Sequence, residues 1–195
     1  MAVTQAPYYT INTVAGNGNA GYSGDNGQAI SASLHNPYSA CVSPNGDVFI
    51  TDSVNDAIRK VSPWTGIITT LTNAIIYPIS CTVNSNGDIF VSNMSHVAKI
   101  AASDRSISYL INEDKVYGVF VTSNNDLYYS DGRSMVKKLA SGTTIPIIVA
   151  GNGTIGYGGD GGLATNAMLR TPWGVFVTPN GDLYIAGKLS DPITN

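Results

Sequence analysis

VAGNGNAGYSGDNG, residues 14–27, returns as VAGNGTIGYGGDGG at residues 149–162. Ten of the 14 positions are identical, among them Gly21-Tyr22 against Gly156-Tyr157 and Asp25 against Asp160. Two shorter, more degenerate repeats lie between these copies. A strand-rich unit repeated at this length buries its faces only against its neighbours, which is the signature of a β-propeller or a solenoid.

Four turns anchor the alignment: Asn45-Gly46-Asp47, Asn86-Gly87-Asp88, Asn124-Asn125-Asp126 and Asn180-Gly181-Asp182. Their aspartates are spaced by 41, 38 and 56 residues, a mean of 45. Asn-Gly between two apolar runs is a strong hairpin signal, and it predicts a two-residue turn with both central residues at positive φ. An apolar strand precedes each turn and an alternating strand follows it. Basic third strands are predicted at 57–61, 97–100 and 135–139, and fourth strands at 67–71, 107–111 and 145–149. No segment shows a helical period. Four antiparallel strands per unit make one propeller blade.

The predicted fold is therefore all-β, a β-propeller fragment of four-stranded antiparallel blades. The blades fall at about 38–72, 79–112 and 117–150, with an incomplete one at 173–195 and an orphan outer strand at 9–14. Propellers close with roughly four to eight blades, and a six-bladed ring would need about 270 residues. The expectation is a piece of a larger ring, or a half-ring that forms a homodimer through its open edges.

Residues 14–63 resemble the NHL repeat, a propeller unit whose third strand carries an Asp-x-x-Asn-x-x-Ile-Arg-Lys run. Asp52, Asn55, Ile58, Arg59 and Lys60 stand at those places. Repeats two and three depart from it: Asn93 replaces the Asp, and His96-Val97-Ala98-Lys99 replaces the Ile-Arg-Lys run. The resemblance implies a propeller that usually serves as an interaction platform. A few family members are enzymes, such as the peptidyl-hydroxyglycine lyases, and those imply a histidine-bound metal near the central channel.

Bulk composition narrows the function. Charged residues make up 12% of the chain and the net charge is −3, which argues against a nucleic-acid surface. No apolar run approaches the roughly 18 residues of a membrane-spanning helix. The N-terminal residues lack a signal-peptide pattern. The asparagines at 93 and 152 open glycosylation sequons, meaningful only in a secreted protein. Cys41 and Cys81 lie six and seven residues before their anchor aspartates. That one-residue offset reverses the strand face, so two buried thiols are expected rather than a disulfide.

Strand order places the long loops, 16–37 and 151–172, on one face with the turns after each second strand. Tyr38, Ile79, Tyr117 and Trp173 each lie nine residues before an anchor aspartate. Tyr38, Tyr117 and Trp173 are expected to ring the channel mouth, near Asp52 and Asp131. One reading is an aromatic and carboxylate funnel for a small ligand or peptide. The other is packing between blades, with the carboxylates capping loop backbone. The basic residues Arg59, Lys60, Lys99, Lys137 and Lys138 are expected on a solvated blade edge.

Catalytic chemistry is not legible. His35 and His96 occupy different repeat positions and cannot join in a zinc cluster. One aspartate per long loop is too few for calcium, which needs six to eight oxygens. There is no nucleophile elbow and no phosphate loop. No catalytic residue, metal or cofactor is assigned. The expected function is a non-catalytic module binding a protein or small ligand. The alternative is a fragment of a propeller hydrolase or lyase whose metal ligands lie in other blades.

Overall fold

The computed structural model describes residues 10–187 and is all-β, with three four-stranded antiparallel sheets and one hairpin. Blade one comprises β1 (Pro37–Val42), β2 (Val48–Asp52), β3 (Ala57–Val61) and β4 (Ile68–Thr72). Blade two comprises β5 (Ser80–Val83), β6 (Ile89–Ser92), β7 (His96–Ile100) and β8 (Ile107–Asn112). Blade three comprises β9 (Val116–Val121), β10 (Leu127–Asp131), β11 (Met135–Leu139) and β12 (Ile147–Ala150). The hairpin of blade four pairs β13 (Pro172–Val177) with β14 (Leu183–Gly187). The only helical elements among the described residues are three-residue 3-10 turns, two of them in the long loops.

The turn after each first strand differs from the two-residue form expected. Gly46 N–H donates to Ser43 O at 2.8 Å and Ser43 N–H to Asp47 O at 3.0 Å, which closes a three-residue loop. The same pair of bonds recurs at Asn84, Thr122 and Thr178. Only the third loop residue, Gly46, Gly87, Asn125 or Gly181, has positive φ. This is a type I turn closed by a left-handed residue in a bulge, and it asks for one glycine-like position rather than two.

The first three anchor aspartates then tie their blades together. Asp47, Asp88 and Asp126 meet the third-strand lysines Lys60, Lys99 and Lys138 at 2.6, 2.8 and 2.6 Å. Asp88 and Asp126 also accept the N–H of Ala102 and Ser141, in the turn between third and fourth strands, both at 2.9 Å. The lysine heads are thus partly buried partners of the hairpin turns, not a free edge.

The core lies between blades. Second strands are covered on both sides: β6 is buried at every position and β2 at all but one. Phe49 and Ile58 of blade one pack on Ile89, Val91 and Ile100 of blade two. Phe90, Val97 and Ile111 of blade two pack on Val119, Leu127 and Tyr129 of blade three. The first long loop packs Ala29 and Ala32 onto Ile50, Val61 and Ile68. Its residues 26–29 also exchange backbone hydrogen bonds with Gly66 and Ile68, so the loop covers the outer edge of β4. The outer strand expected at 9–14 lies partly outside the described residues. Its described part, 10–14, joins no sheet, and Ile11 is fully exposed.

Cys41 and Cys81 form a disulfide, with their Cα atoms 5.8 Å apart. The offset that reverses the strand face is what brings them together. Neighbouring blades stack with the upper face of one on the lower face of the next. Thiols pointing to opposite faces of two first strands therefore meet between β1 and β5.

The anchor carboxylates make stability depend on acid. Burial alone would raise the Asp88 carboxyl, but Lys99, the Ala102 N–H and Asn84 outweigh it and hold it below 3.8. A hydrogen bond from Lys138 does the same at Asp126, against a smaller opposing effect of burial. A depressed folded-state pKa gives stability that is complete above the unfolded value and lost as pH falls through the folded one. Chemical denaturation between pH 5 and about 2 should show stability falling below pH 3.8 in the native chain. Replacing both aspartates by Asn should flatten that slope and lower stability at neutral pH.

Candidate functional site

Three aromatic rings from different blades and a fourth from a connecting segment meet at the heads of the first strands. Tyr117 at the head of β9 stacks on Trp173 at the head of β13, with centroids 4.9 Å apart and planes 12° apart. Trp173 lies 6.4 Å from Tyr38 of β1, and Tyr38 lies 6.0 Å from Tyr77. The Tyr38 and Tyr77 hydroxyls are 3.2 Å apart and share a hydrogen bond. That bond, with burial and the Tyr38 charge adding to it, raises the Tyr77 pKa above its ordinary 10.0. Tyr38, Tyr77 and Trp173 are 49%, 36% and 38% exposed, which leaves ring surface open to solvent.

Local backbone demands set this arrangement. Tyr77 itself has φ of 49°, an uncommon conformation for a bulky residue. It is held by its N–H donating to Asp56 Oδ1 at 2.7 Å. Next to Tyr117, Gly118 lies against the neighbouring strand so closely that a Cβ there would come within 2.2 Å of the Trp173 carbonyl oxygen. The absent side chain lets β9 and β13 approach until their aromatic heads stack. Ser92 Oγ donates to Tyr117 O, and Ser130 Oγ accepts the Gly118 N–H at 2.9 Å, fixing the strand on both sides.

The carboxylates lie elsewhere. Asp52 is wholly buried, accepting the His35 N–H at 2.6 Å, Asn55 Nδ2 at 2.9 Å and the Arg59 guanidinium at 3.1 Å. Arg59 is also wholly buried rather than solvated at an edge. Its other arm reaches Asp25 of the long loop at 2.7 Å, and the Tyr22 ring covers its guanidinium at 5.0 Å. Burial alone would raise the Asp25 carboxyl, but hydrogen bonds from Thr70 and Arg59 and the Arg59 charge bring it below 3.8.

Blade three repeats the plan with other residues. Asp131, 1% exposed, caps the Arg133 and Met135 N–H groups at 3.0 and 3.1 Å. Lys137, at the Arg59 position, sits between Asp131 at 3.1 Å and Glu113 of the preceding loop at 2.5 Å. The buried Tyr129 hydroxyl donates to Glu113 at 2.9 Å, and burial with these negative neighbours pushes its pKa far up. In blade two both charges are gone together: Asn93 still caps the Ser95 and His96 N–H groups, and Ala98 replaces the cation. Leaving one partner alone would bury an unpaired charge, at a cost of several kcal/mol.

The structure thus brings Tyr38, Tyr117 and Trp173 together and adds Tyr77, while Asp52 and Asp131 serve buried networks beneath the loops. Tyr77 was missed because it lies in a connection, two residues before the register position held by Ile79. Its only sequence signal is the following Pro78, which marks a turn. Among the described residues no three His, Cys, Asp or Glu side chains gather in a way that would hold a metal. His96 packs on Tyr109 with ring centroids 4.9 Å apart, and the His35 backbone serves Asp52.

No protein-family model matches the chain. No curated protein matches it either. Solved structures do, as β-propeller-like folds. A Bacteroides thetaiotaomicron protein of unknown function aligns with TM-score 0.64 and 17% identity, over 76% of this chain and 44% of that one. An auxiliary nutrient binding protein from Bacteroides ovatus aligns with TM-score 0.59 and 15% identity, over 79% and 46%. A catalytically inactive virginiamycin B lyase from Staphylococcus aureus with quinupristin aligns with TM-score 0.55 and 18% identity, over 76% and 48%. The chain spans less than half the length of these structures, and at such identities the likeness is one of fold: an all-β β-propeller architecture.

Gly118 offers a direct check on how the rings are held. Gly118→Ala should force β9 and β13 apart and destabilise the protein by about 1–3 kcal/mol, the usual cost of overpacking. The near-ultraviolet circular dichroism of the Tyr117–Trp173 stack should weaken with it. An unchanged spectrum and midpoint would mean that the two strands do not approach this closely.

Proposed function

We propose that this chain is an NHL-type propeller module that binds, without catalysis, a neutral ring-bearing ligand at the channel mouth. Such a ligand is a planar heterocycle, a sugar, or a peptide side chain of those shapes. One observation carries the reading: three rings from separate blades and a fourth from the connection between blades one and two form one continuous, partly exposed surface. Packing alone would bury such rings. Open faces lend themselves to stacking, and the paired Tyr38 and Tyr77 hydroxyls add a polar handle. The buried Asp52–Asn55–Arg59 run supports the NHL reading, since Asn55 Nδ2 also donates to the Gly21 carbonyl at 2.8 Å and ties down the long loop. The nutrient-binding neighbours are in keeping with a binding module, and the lyase neighbours keep an enzyme of the same fold as the rival reading.

Trp173 reports on its own site once the exposed Trp64 is removed. In a Trp64→Phe background, a panel of nucleosides, oligosaccharides and aromatic amino acids is titrated against Trp173 emission. At least one class should give a saturable change. Tyr117→Ala and Tyr38→Ala should weaken that response about tenfold while the fold stays intact, as for loss of a stacking contact. No saturable response across the panel, or equal affinity in both folded variants, returns the rings to a packing role.

A further inference from the structure

The turns between third and fourth strands share one backbone pattern in blades one and two. Ser62 N–H donates to Ile67 O at 3.0 Å, and Ala101 N–H to Ser106 O at 2.9 Å. Gly66 N–H donates to Ser62 O at 2.9 Å, and Arg105 N–H to Ala101 O at 3.1 Å. Pro63 therefore stands where Ala102 stands, and Gly66 where Arg105 stands.

Both exchanges leave a charged group short of a partner. Asp88 Oδ1 accepts the Ala102 N–H and Asp126 Oδ1 the Ser141 N–H, each at 2.9 Å. Pro63 has no N–H to give Asp47. Lys60 and Asn45 both reach Asp47 at Oδ2, at 2.6 and 3.1 Å, and among the described residues no donor reaches Oδ1. Asp47 is only 8% exposed, so an acceptor of a nearly buried carboxylate is left unpaired. Arg105 has φ of 64°, a left-handed conformation that glycine adopts at no cost and a side chain does not. Its guanidinium joins no ion pair or hydrogen bond among the described residues, whereas Arg59, Lys60, Lys99, Lys137 and Lys138 are all paired. The adjacent Asp104 does not serve it, since Asp104 Oδ1 accepts the Ser106 N–H at 3.0 Å.

Asp47 and Arg105 line the same cavity, of about 240 Å³, between the hairpin turns of blades one and two. It lies at the ends of the strands remote from the aromatic rings. Pro44 and Phe49 give it apolar wall, and Ser85 and Asn86 add side chains that make no hydrogen bond among the described residues.

We propose that this cavity binds a small hydroxycarboxylic acid of the sugar-acid class. The Arg105 fork takes the carboxylate, and a ligand hydroxyl donates to Asp47 Oδ1. Charge selects this class. Lys60 already neutralises Asp47, which leaves one uncompensated positive charge at Arg105. That suits a single carboxylate, and a doubly charged phosphate would crowd the Asp47 carboxylate. The same lysine repels an ammonium group at Oδ1 but not a neutral hydroxyl. Sites for drug-sized molecules run to about 300–1,000 Å³, so this smaller cavity suits a single ring.

The test is a nuclear magnetic resonance titration of the isotope-labelled full chain with glucuronate, and with glucose and inorganic phosphate at matched ionic strength. Glucuronate should give saturable shifts at the amides of residues 85–87 and 102–105. Glucose and phosphate should bind at least about tenfold more weakly. Arg105→Gly should weaken glucuronate by at least about tenfold, yet raise the thermal midpoint by about 2–4 °C, because glycine relieves the left-handed backbone. Pro63→Ala supplies the N–H that Asp47 Oδ1 lacks and should weaken glucuronate about threefold or more, with the rest of the spectrum unchanged. No saturable shift at these amides, equal affinity for glucose or phosphate, or undiminished affinity in either variant would overturn the proposal. A lowered midpoint in R105G would overturn it too, by showing that the arginine serves the fold.

Discussion

The close approach of the first strands governs everything that faces the channel. Blades can converge only where their innermost strands carry little bulk at the contact. Gly118 meets the Trp173 carbonyl at a distance that excludes any side chain. At the β1–β5 contact the covalent bridge between Cys41 and Cys81 does comparable work. With the strand heads drawn in, the aromatic residues just outside the contact have only each other and solvent to face. The candidate site is thus a consequence of how the blades pack, and it would not survive a widening of the ring.

A second layer of constraint keeps each blade flat and its loops in place. The anchor aspartates hold the hairpin turns to the third strands. Further along, a buried carboxylate at the end of the second strand, a cation on the third and a partly exposed carboxylate from the preceding loop form a triad in blades one and three. Blade two drops both strand charges at once, as the cost of an unpaired buried charge requires. The fourth blade has Gly187 in place of the second-strand carboxylate and keeps Asp160 in the loop.

Much of the fold was legible because propeller repeats are local. Turn chemistry and strand alternation each need only a few residues, so the Asn-Gly-Asp register predicted the strands that form. What the sequence did not show was how one blade meets the next. Within one strand register the cysteine offset separates two thiols, but the stacking of unlike blade faces joins them. An arginine in an alternating strand looks like a solvated edge residue, and only the long loop that covers Arg59 makes it a buried one. The shared register of Tyr38, Tyr117 and Trp173 goes with rings that lie side by side. Asp52 and Asp131 hold a register of their own, five residues after their anchor aspartates, and their caps and ion pairs are short-range and turn them inward. Tyr77 had no register to reveal it.

The most direct measurement is the contact between rings that only convergent blades can bring together. With selectively labelled aromatic residues, nuclear Overhauser effects should connect the Tyr117 ring to the Trp173 indole, and the Tyr38 ring to that of Tyr77. The stacked partner should shift the Tyr117 ring protons upfield. A well-dispersed spectrum that lacks the Tyr117–Trp173 connection would show that the first strands do not converge. The aromatic surface, and the binding role proposed for it, would then fall together.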